Sequence, residues 1–506
     1  MNFRLSKSKL QSYAQCRRRL WLEINQPNEA TDDEASELIL NRGSAFGKAI
    51  HACFPGGELI DTRSPGAAVQ QTTALMAQFA AGRPRTPIFE AAFTFDEVVI
   101  YADILDPCAD GSWCLIEVKS SVFKADKKQK PHYVRDAATQ AWVLKQCGLP
   151  LSRVELGQPN GEFKLLQDGH IEGILQRVDV TEAALALADE IQRSVVEALD
   201  LLDQTTEPDQ PLGPQCKDPY KCPFVRHCSG AKLRDGEHSI VPVWHLAGEP
   251  TVRLVTDLME DGYRDLADVP EERLDRPMHH VMRRIAQGGP PYVDGQLRDH
   301  LRSQPFPRYF LDYETNNAPL PLWRGTHPGE RIPFQYSVHK WVSLEQGVKH
   351  DYFLGKTLDD PRPELAGKLA DWMAEPGPVY AWNGKSTEGP ITQALSCFCS
   401  QQHRAEILER VAHSCAENDP IKYFRKWFYH PSMEGSWGLK AIAGALLVPS
   451  PYEQLRISNG VAAMREYERF LKMPASPERD DLYDDLIRYC NTDTEVMIKL
   501  WNTLVA

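Results

Sequence analysis

The sequence predicts an α/β protein of more than one domain. Short apolar runs with strand spacing alternate with longer helical patterns in both halves of the chain. The 506 residues also exceed what one hydrophobic core serves. Between the two halves, residues 231–306 show helical patterns without strands of comparable length. The expected partition is therefore 1–230, a small helical connector over 231–306, and 307–506.

Composition narrows the function. With 57 Lys and Arg against 70 Asp and Glu, the formal charge is -13, which gives no overall attraction to a polyanion. A nucleic-acid site would have to be a local basic patch or a metal-filled acidic cleft. No apolar stretch reaches the roughly 18 to 20 residues that span a bilayer, and Met1-Asn-Phe-Arg lacks the apolar run of a secretory signal. A cytoplasmic protein with no membrane partner is expected. Its twelve cysteines then read as thiols or metal ligands rather than disulfides. Cys53, Cys108, Cys114, Cys147, Cys397, Cys399, Cys415 and Cys490 stand mostly among apolar residues and read as buried thiols.

Along the first half, Lys7 to Leu22 reads as a helix capped by Ser6 or Ser8, with Arg17-Arg18-Arg19 as a compact positive patch. Arg42 to Phe54 is a second helical pattern that places His51 one turn beyond Gly47. A mixed helical stretch from Thr72 to Ala80 and a strand from Ile88 to Phe95 follow. Val98 to Leu105 and Trp113 to Val118 flank the turn-like Asp110-Gly111 and read as an antiparallel pair. Asp103 lies on the first strand, and Glu117 and Lys119 share one face of the second because strand side chains repeat every two residues. Two carboxylates and a lysine so placed can hold a divalent ion and stabilise charge on a phosphate, which points to phosphodiester chemistry. His51 is a suitable imidazole ligand for an ion such as Mn2+.

A basic loop follows, with Lys124, Lys127, Lys128, Lys130 and His132, suited to a DNA or RNA backbone. Tyr133 to Gly148 reads as an amphipathic helix carrying Gln140, Val154 to Leu156 and Ile174 to Val180 as strands, and Thr181 to Leu202 as a helix capped by Thr181.

This arrangement resembles the PD-(D/E)XK nuclease superfamily, in particular its RecB-like members and the CRISPR-associated single-strand exonucleases. The residues that carry the resemblance are Gly47-Lys-Ala-Ile-His51, Asp103, Glu117-Val118-Lys119 and Gln140. It implies a restriction-endonuclease-like mixed-sheet domain in which His51, Asp103, Glu117 and the Val118 carbonyl hold Mg2+ or Mn2+. It further implies that Lys119 assists water activation and Gln140 orients substrate. The family often carries Tyr four residues after the glutamine, where this chain has Leu144.

Cys216, Cys222 and Cys228, three cysteines in thirteen residues, form a cluster in want of a fourth ligand. Thiolates select zinc or iron–sulfur. The same nuclease families close a [4Fe-4S] cluster with one early and three late cysteines, and Cys16 matches the early position. The first late gap here is longer than theirs, and structural Zn2+, held by four thiolates or with His227 in place of one, is the other reading.

The connector reads as helices over Pro250 to Gly262, Leu274 to Ala286 and Gln296 to Leu301, preceded by a mixed stretch over Leu233 to Val243 and by Trp244-His245. Beyond it, strands over Arg308 to Thr315, Arg331 to Trp341 and Lys349 to Leu354 precede a helix over Pro363 to Trp372, the order of a ribonuclease-H-like core. Asp312 and Glu314 share one strand face, Glu388 stands at a helix start, and Tyr489 and Asp493 share a face of the last helix. A phenol beside a metal-bound carboxylate can position or deprotonate water.

This half resembles the tyrosine-bearing branch of the DEDD 3'–5' exonucleases, in the form found in an uncharacterised bacterial family fused behind RecB-like domains. Asp312 and Glu314 match the first motif, Asn383 with Glu388 the second, and Tyr489 with Asp493 the third. The second motif departs, with glutamate for aspartate and one residue more in the gap. The resemblances imply a metal-dependent nuclease with two sites, an exonuclease on DNA single strands or ends, with a helicase or another repair or defence protein as a further partner. An RNA-processing nuclease, or a nucleic-acid-binding adaptor with one or both sites inactive, are the alternatives.

Overall fold

The computed structural model describes residues 3–31, 34–62, 64–228, 246 and 251–505. The expected mixed stretch from Leu233 to Val243, with Trp244 and His245, lies outside them. The chain forms two compact units, one from residues 1–231 and 317–330, the other from 232–316 and 331–506.

In the first unit the elements run β1 (Leu5–Ser6), α1 (Lys7–Gln15), α2 (Arg17–Asn25), α3 (Glu34–Ile50), β2 (Glu58–Leu59), α4 (Pro65–Ala80), β3 (Ile88–Phe95), β4 (Val98–Pro107), β5 (Trp113–Val118), α5 (Pro131–Gln146), β6 (Leu151–Pro159), β7 (Leu175–Asp179), α6 (Thr181–Ala186), α7 (Ala188–Leu202) and α8 (Val225–Cys228). The sheet is mixed, in the order β2-β3-β4-β5-β6-β7, with β1 pairing parallel to β4. The expected hairpin of β4 and β5 is antiparallel, and β5 runs parallel to β6. Five of the six residues of β5 are buried, as a central strand covered on both faces requires. One face packs against α1, α4, α5 and α7 around Leu10, Leu75, Trp113, Val143 and Val195; the other holds Phe46, Phe89, Ile104 and Ile116.

Two expected helices are broken. The first stops at Gln15 and restarts at Arg17 because Cys16 takes an extended backbone, φ -165° and ψ 122°. The second is interrupted at Leu187. Thr181 does not cap it: its hydroxyl accepts from the Val154 amide and so serves strand β6 instead of the helix end.

The second unit contains α9 (Thr251–Glu260), α10 (Pro277–Ala286), β8 (Tyr292–Val293), α11 (Gly295–Ser303), β9 (Arg308–Asn316), β10 (Ile332–Ser343), β11 (Gly347–Leu354), α12 (Arg362–Trp372), β12 (Val379–Tyr380), α13 (Glu388–Ser396), α14 (Gln402–Glu417), α15 (Pro420–Trp427), β13 (Phe428–Tyr429), α16 (Leu439–Leu446), α17 (Gly460–Lys472) and α18 (Pro477–Val505). The sheet order is β11-β10-β9-β12, antiparallel but for β9 with β12. The three-strand meander is thus as the sequence predicts. Leu258, Met282 and Leu297 from the connector segment share a core with Phe310, Tyr380 and Trp501. The described part of that segment is therefore packed into this unit. Among the described residues no helix is long and apolar enough to cross a membrane.

Candidate functional site

Strand β9 and helix α18 build the acidic site of the second unit. Asp312 and Glu314 lie two residues apart on β9 and face the same way. Asp493 is on α18 one turn beyond Tyr489, and Cys490 lies three residues before Asp493 on the same side of the helix. Ligand atoms of Asp312, Glu314 and Cys490 all fall within 4.8 Å of one another, the one group of three with metal-ligand spacing among the described residues. The Cys490 thiol lies 3.8 Å from both the main-chain carbonyl and the Oδ2 of Asp312.

Glu388 opens α13, as the sequence predicts, and is buried. Asn383, from the same motif, has a left-handed φ of 62° in the turn before that helix, a conformation asparagine tolerates better than most residues.

Burial and mutual repulsion set the electrostatics here. Burial first, then Asp493, Glu314 and Glu388, raise Asp312 well above the usual aspartate range, and Glu314 is raised by burial and Asp493. Burial pushes Glu388 up to about 8 and Asp493 up to about 6, although the 2.6 Å hydrogen bond from the Tyr452 hydroxyl to Asp493 opposes the latter. Lys440 is a nearby cation, which acts on Glu314 and Asp493, and its Nζ donates to the Tyr489 hydroxyl at 3.1 Å. One carboxylate oxygen of Glu388 is buried with no hydrogen-bond partner. So many crowded acids are costly to ionise together unless a cation joins them.

A pH dependence follows. Asp493 and Glu388, with ordinary values of 3.8 and 4.5, keep protons in the folded chain that the unfolded chain has already released, up to about 6 and 8. Without divalent ions, stability from these groups therefore falls as pH rises through that window. The rise in Tm on adding Mn2+ is expected to be larger near about pH 8 than near about pH 5. An equal or smaller rise at the higher pH, in a fluorescence melt, would contradict an ion site here.

In the first unit Asp103 and Glu117 do converge. The Ile104–Ile116 pair puts them side by side one step further along, and Asp103 accepts from the Val118 amide at 2.7 Å. Their environment differs from the expected open metal cradle. Lys7 Nζ lies 2.7 Å from Glu117 and 3.8 Å from Asp103. Lys119 donates to the same Glu117 oxygen at 2.8 Å and also pairs with Asp136, while Gln140 Nε2 donates to the other oxygen at 2.5 Å. Burial would raise Glu117, but Lys119 and Lys7 outweigh it and hold it at about 2. Burial and Glu117 raise Asp103 to about 7. His51 begins the turn after α3, and its ring stacks on Phe89 with centroids 3.9 Å apart. It does not join Asp103 and Glu117 in a group with metal-ligand spacing.

Lys7, Asp136, Glu90, Lys440, Tyr452 and the ligand position of Cys490 escaped the sequence reading. Asp136 was accessible, since it lies four residues before Gln140 on one helix face. So was Cys490, three residues before Asp493. Glu90 stands between the pairs Phe89–Ile104 and Ala91–Ala102, beside Asp103, with a left-handed φ of 57°. Lys7 and Lys440 reach their sites from distant helices, and no local pattern marks them.

Cys16, Cys216, Cys222 and Cys228 line one small cavity. Gln15 Nε2 ties it together by donating to the Gln215 and Tyr220 carbonyls, each at 2.6 Å. No three of these sulfurs come within 4.8 Å of one another. The group that does have metal-ligand spacing contains one thiol and two carboxylates, a set for a single ion of zinc type and not the four thiolates of a [4Fe-4S] cluster. The iron–sulfur expectation is corrected accordingly. His227 is not turned to the thiols either: its ring nitrogens lie 3.4 Å from Glu29 and 3.1 Å from Glu207. The arginine patch is likewise partly spent internally, Arg18 on Glu207 and Arg19 on Glu23.

Fold and site together define an α/β protein of two compact units with a candidate metal centre, consistent with a nuclease-like architecture in general. Residues 309–438, 130 of the 506, match a family described as a domain of unknown function, DUF2779. That span includes Asp312, Glu314 and Glu388 but ends before Lys440, Tyr489 and Asp493. No curated protein and no solved structure matches the chain.

Proposed function

We propose that the chain is a metal-dependent phosphodiesterase acting on nucleic acid, cutting at the acidic site of the second unit and holding the strand with the first. The observation that supports this best is the convergence of half-buried Asp312 with buried Glu314 and Cys490, with Asp493 and Glu388 acting on the same groups. A divalent ion bound there would polarise a phosphoryl oxygen and make its water acidic. Tyr452 fixes Asp493 by hydrogen bonding, and Lys440 holds the Tyr489 phenol, which orients the attacking water.

The first unit supports the holding role. Lys7 and Lys119 already neutralise Glu117, which leaves that pair a weak competitor for a metal ion. Beside it, Lys124, Lys127, Lys128, Lys130 and Tyr133 line an open cavity of about 410 Å³. Lys119 and Lys130 each lie 5.1 Å from the Tyr133 ring centre, so the aromatic joins the carboxylate site to the basic loop. Cations around an aromatic suit a single strand read by backbone charge and stacking.

The test is a panel of end-labelled single- and double-stranded DNA and RNA with Mg2+, Mn2+ and Zn2+. Wild type is expected to degrade at least one of them, and Asp493→Asn to leave all of them intact over the time in which wild type goes to completion. Degradation retained in Asp493→Asn but lost in Asp103→Asn would move the cutting site to the first unit and overturn the assignment.

A further inference from the structure

Cys490 is fully buried, yet its surroundings are not those of a packing thiol. The Asp312 carboxylate and carbonyl lie 3.8 Å from its sulfur, and Asp312, Glu314 and Asp493 all act on it electrostatically. Its Sγ falls within the same 4.8 Å group as the two carboxylates. A second, independent observation also points to a cation ligand. Glu388, only 5 % exposed, keeps one carboxylate oxygen without a hydrogen-bond partner, and its charge acts on both Asp312 and Glu314. A buried carboxylate oxygen left bare is costly unless a ligand satisfies it.

Hard oxygens alone would suit Mg2+, which demands octahedral oxygen coordination. A thiolate in the set changes the preference, because sulfur favours zinc and the softer divalent ions. We propose that Cys490 is an inner ligand of the second unit's site and that it makes this site select thiophilic divalent ions over Mg2+ and Mn2+. Ligation replaces the thiol proton, which passes to the buffer as the sulfur–metal bond forms. The inference rests on the site reading given under Proposed function and adds to it the class of ion.

The test uses the full chain without nucleic acid. Mn2+ bound at the site is followed by electron paramagnetic resonance and displaced by Cd2+. The Cd2+ needed for half-displacement is expected to rise by about 10- to 100-fold in Cys490→Ser relative to wild type, the scale on which ligand-shell changes alter metal affinity. Cys490→Ala, which buries no new polar atom, replaces the serine variant if the latter does not fold. Half-displacement at the wild-type Cd2+ concentration in whichever variant folds would overturn the thiol as a ligand.

Asp312→Asn separates the two readings. It is expected to abolish the bound Mn2+ signal, and an unchanged signal would remove the ion site itself. The expected Cd2+ behaviour in a chain that degrades no nucleic acid would sink the phosphodiesterase reading and leave this inference standing.

Discussion

Asp493→Asn is expected to slow hydrolysis by on the order of 10³-fold, because a ligand-side carboxylate at a divalent ion supports several kcal/mol of transition-state charge stabilisation and about 4 kcal/mol corresponds to that factor. The same change should cost little stability. Asp493 is one of four acids, three of them buried and Asp312 half-buried, that repel one another, so removing its charge relieves repulsion while the amide still accepts from Tyr452. The pair of readouts is therefore a large loss in single-turnover cleavage of a labelled strand with a melting temperature at or above wild type in chelator. A rate within about tenfold of wild type, less than 1.4 kcal/mol, would mean Asp493 does not serve the reaction.

Glu117→Gln should do the reverse, with a large effect on stability. Glu117 is 1 % exposed and satisfies Lys7, Lys119 and Gln140 at once. Removing its charge leaves two inward-turned ammonium groups to share Asp103 and Asp136, and breaking a buried ion pair from one side costs about 3 to 5 kcal/mol. Urea denaturation in chelator, followed by a probe in the first unit, measures it. A loss under about 1 kcal/mol would show that the lysines reach water readily.

Much of this was legible in the sequence, for reasons that differ by element. The β4–β5 hairpin could be read because apolar alternation and Asp110-Gly111 are local signals, and they sufficed to bring Asp103 beside Glu117. The acids of the second unit were legible for the same reason: Asp312 and Glu314 share a strand face, Tyr489 and Asp493 a helix face. What failed was non-local. Lys7 lies 110 residues from Glu117, and nothing in Ser6-Lys7-Ser8 announces that its ammonium will sit between two carboxylates. Cys490 read as a packing thiol because its neighbours in sequence are consistent with one; only the fold sets it against Asp312. The cysteine spacing suggested a cluster, and the chain does gather the four residues at one cavity, but the ligand spacing of a metal site occurs elsewhere.

Anomalous scattering at the zinc absorption edge, from crystals of the full chain soaked in Zn2+, tests the central claim most directly. The expected result is a peak within inner-sphere distance, about 2.0 to 2.3 Å, of Asp312, Glu314 and Cys490. A peak between Asp103 and Glu117, with none at Asp312, would contradict it.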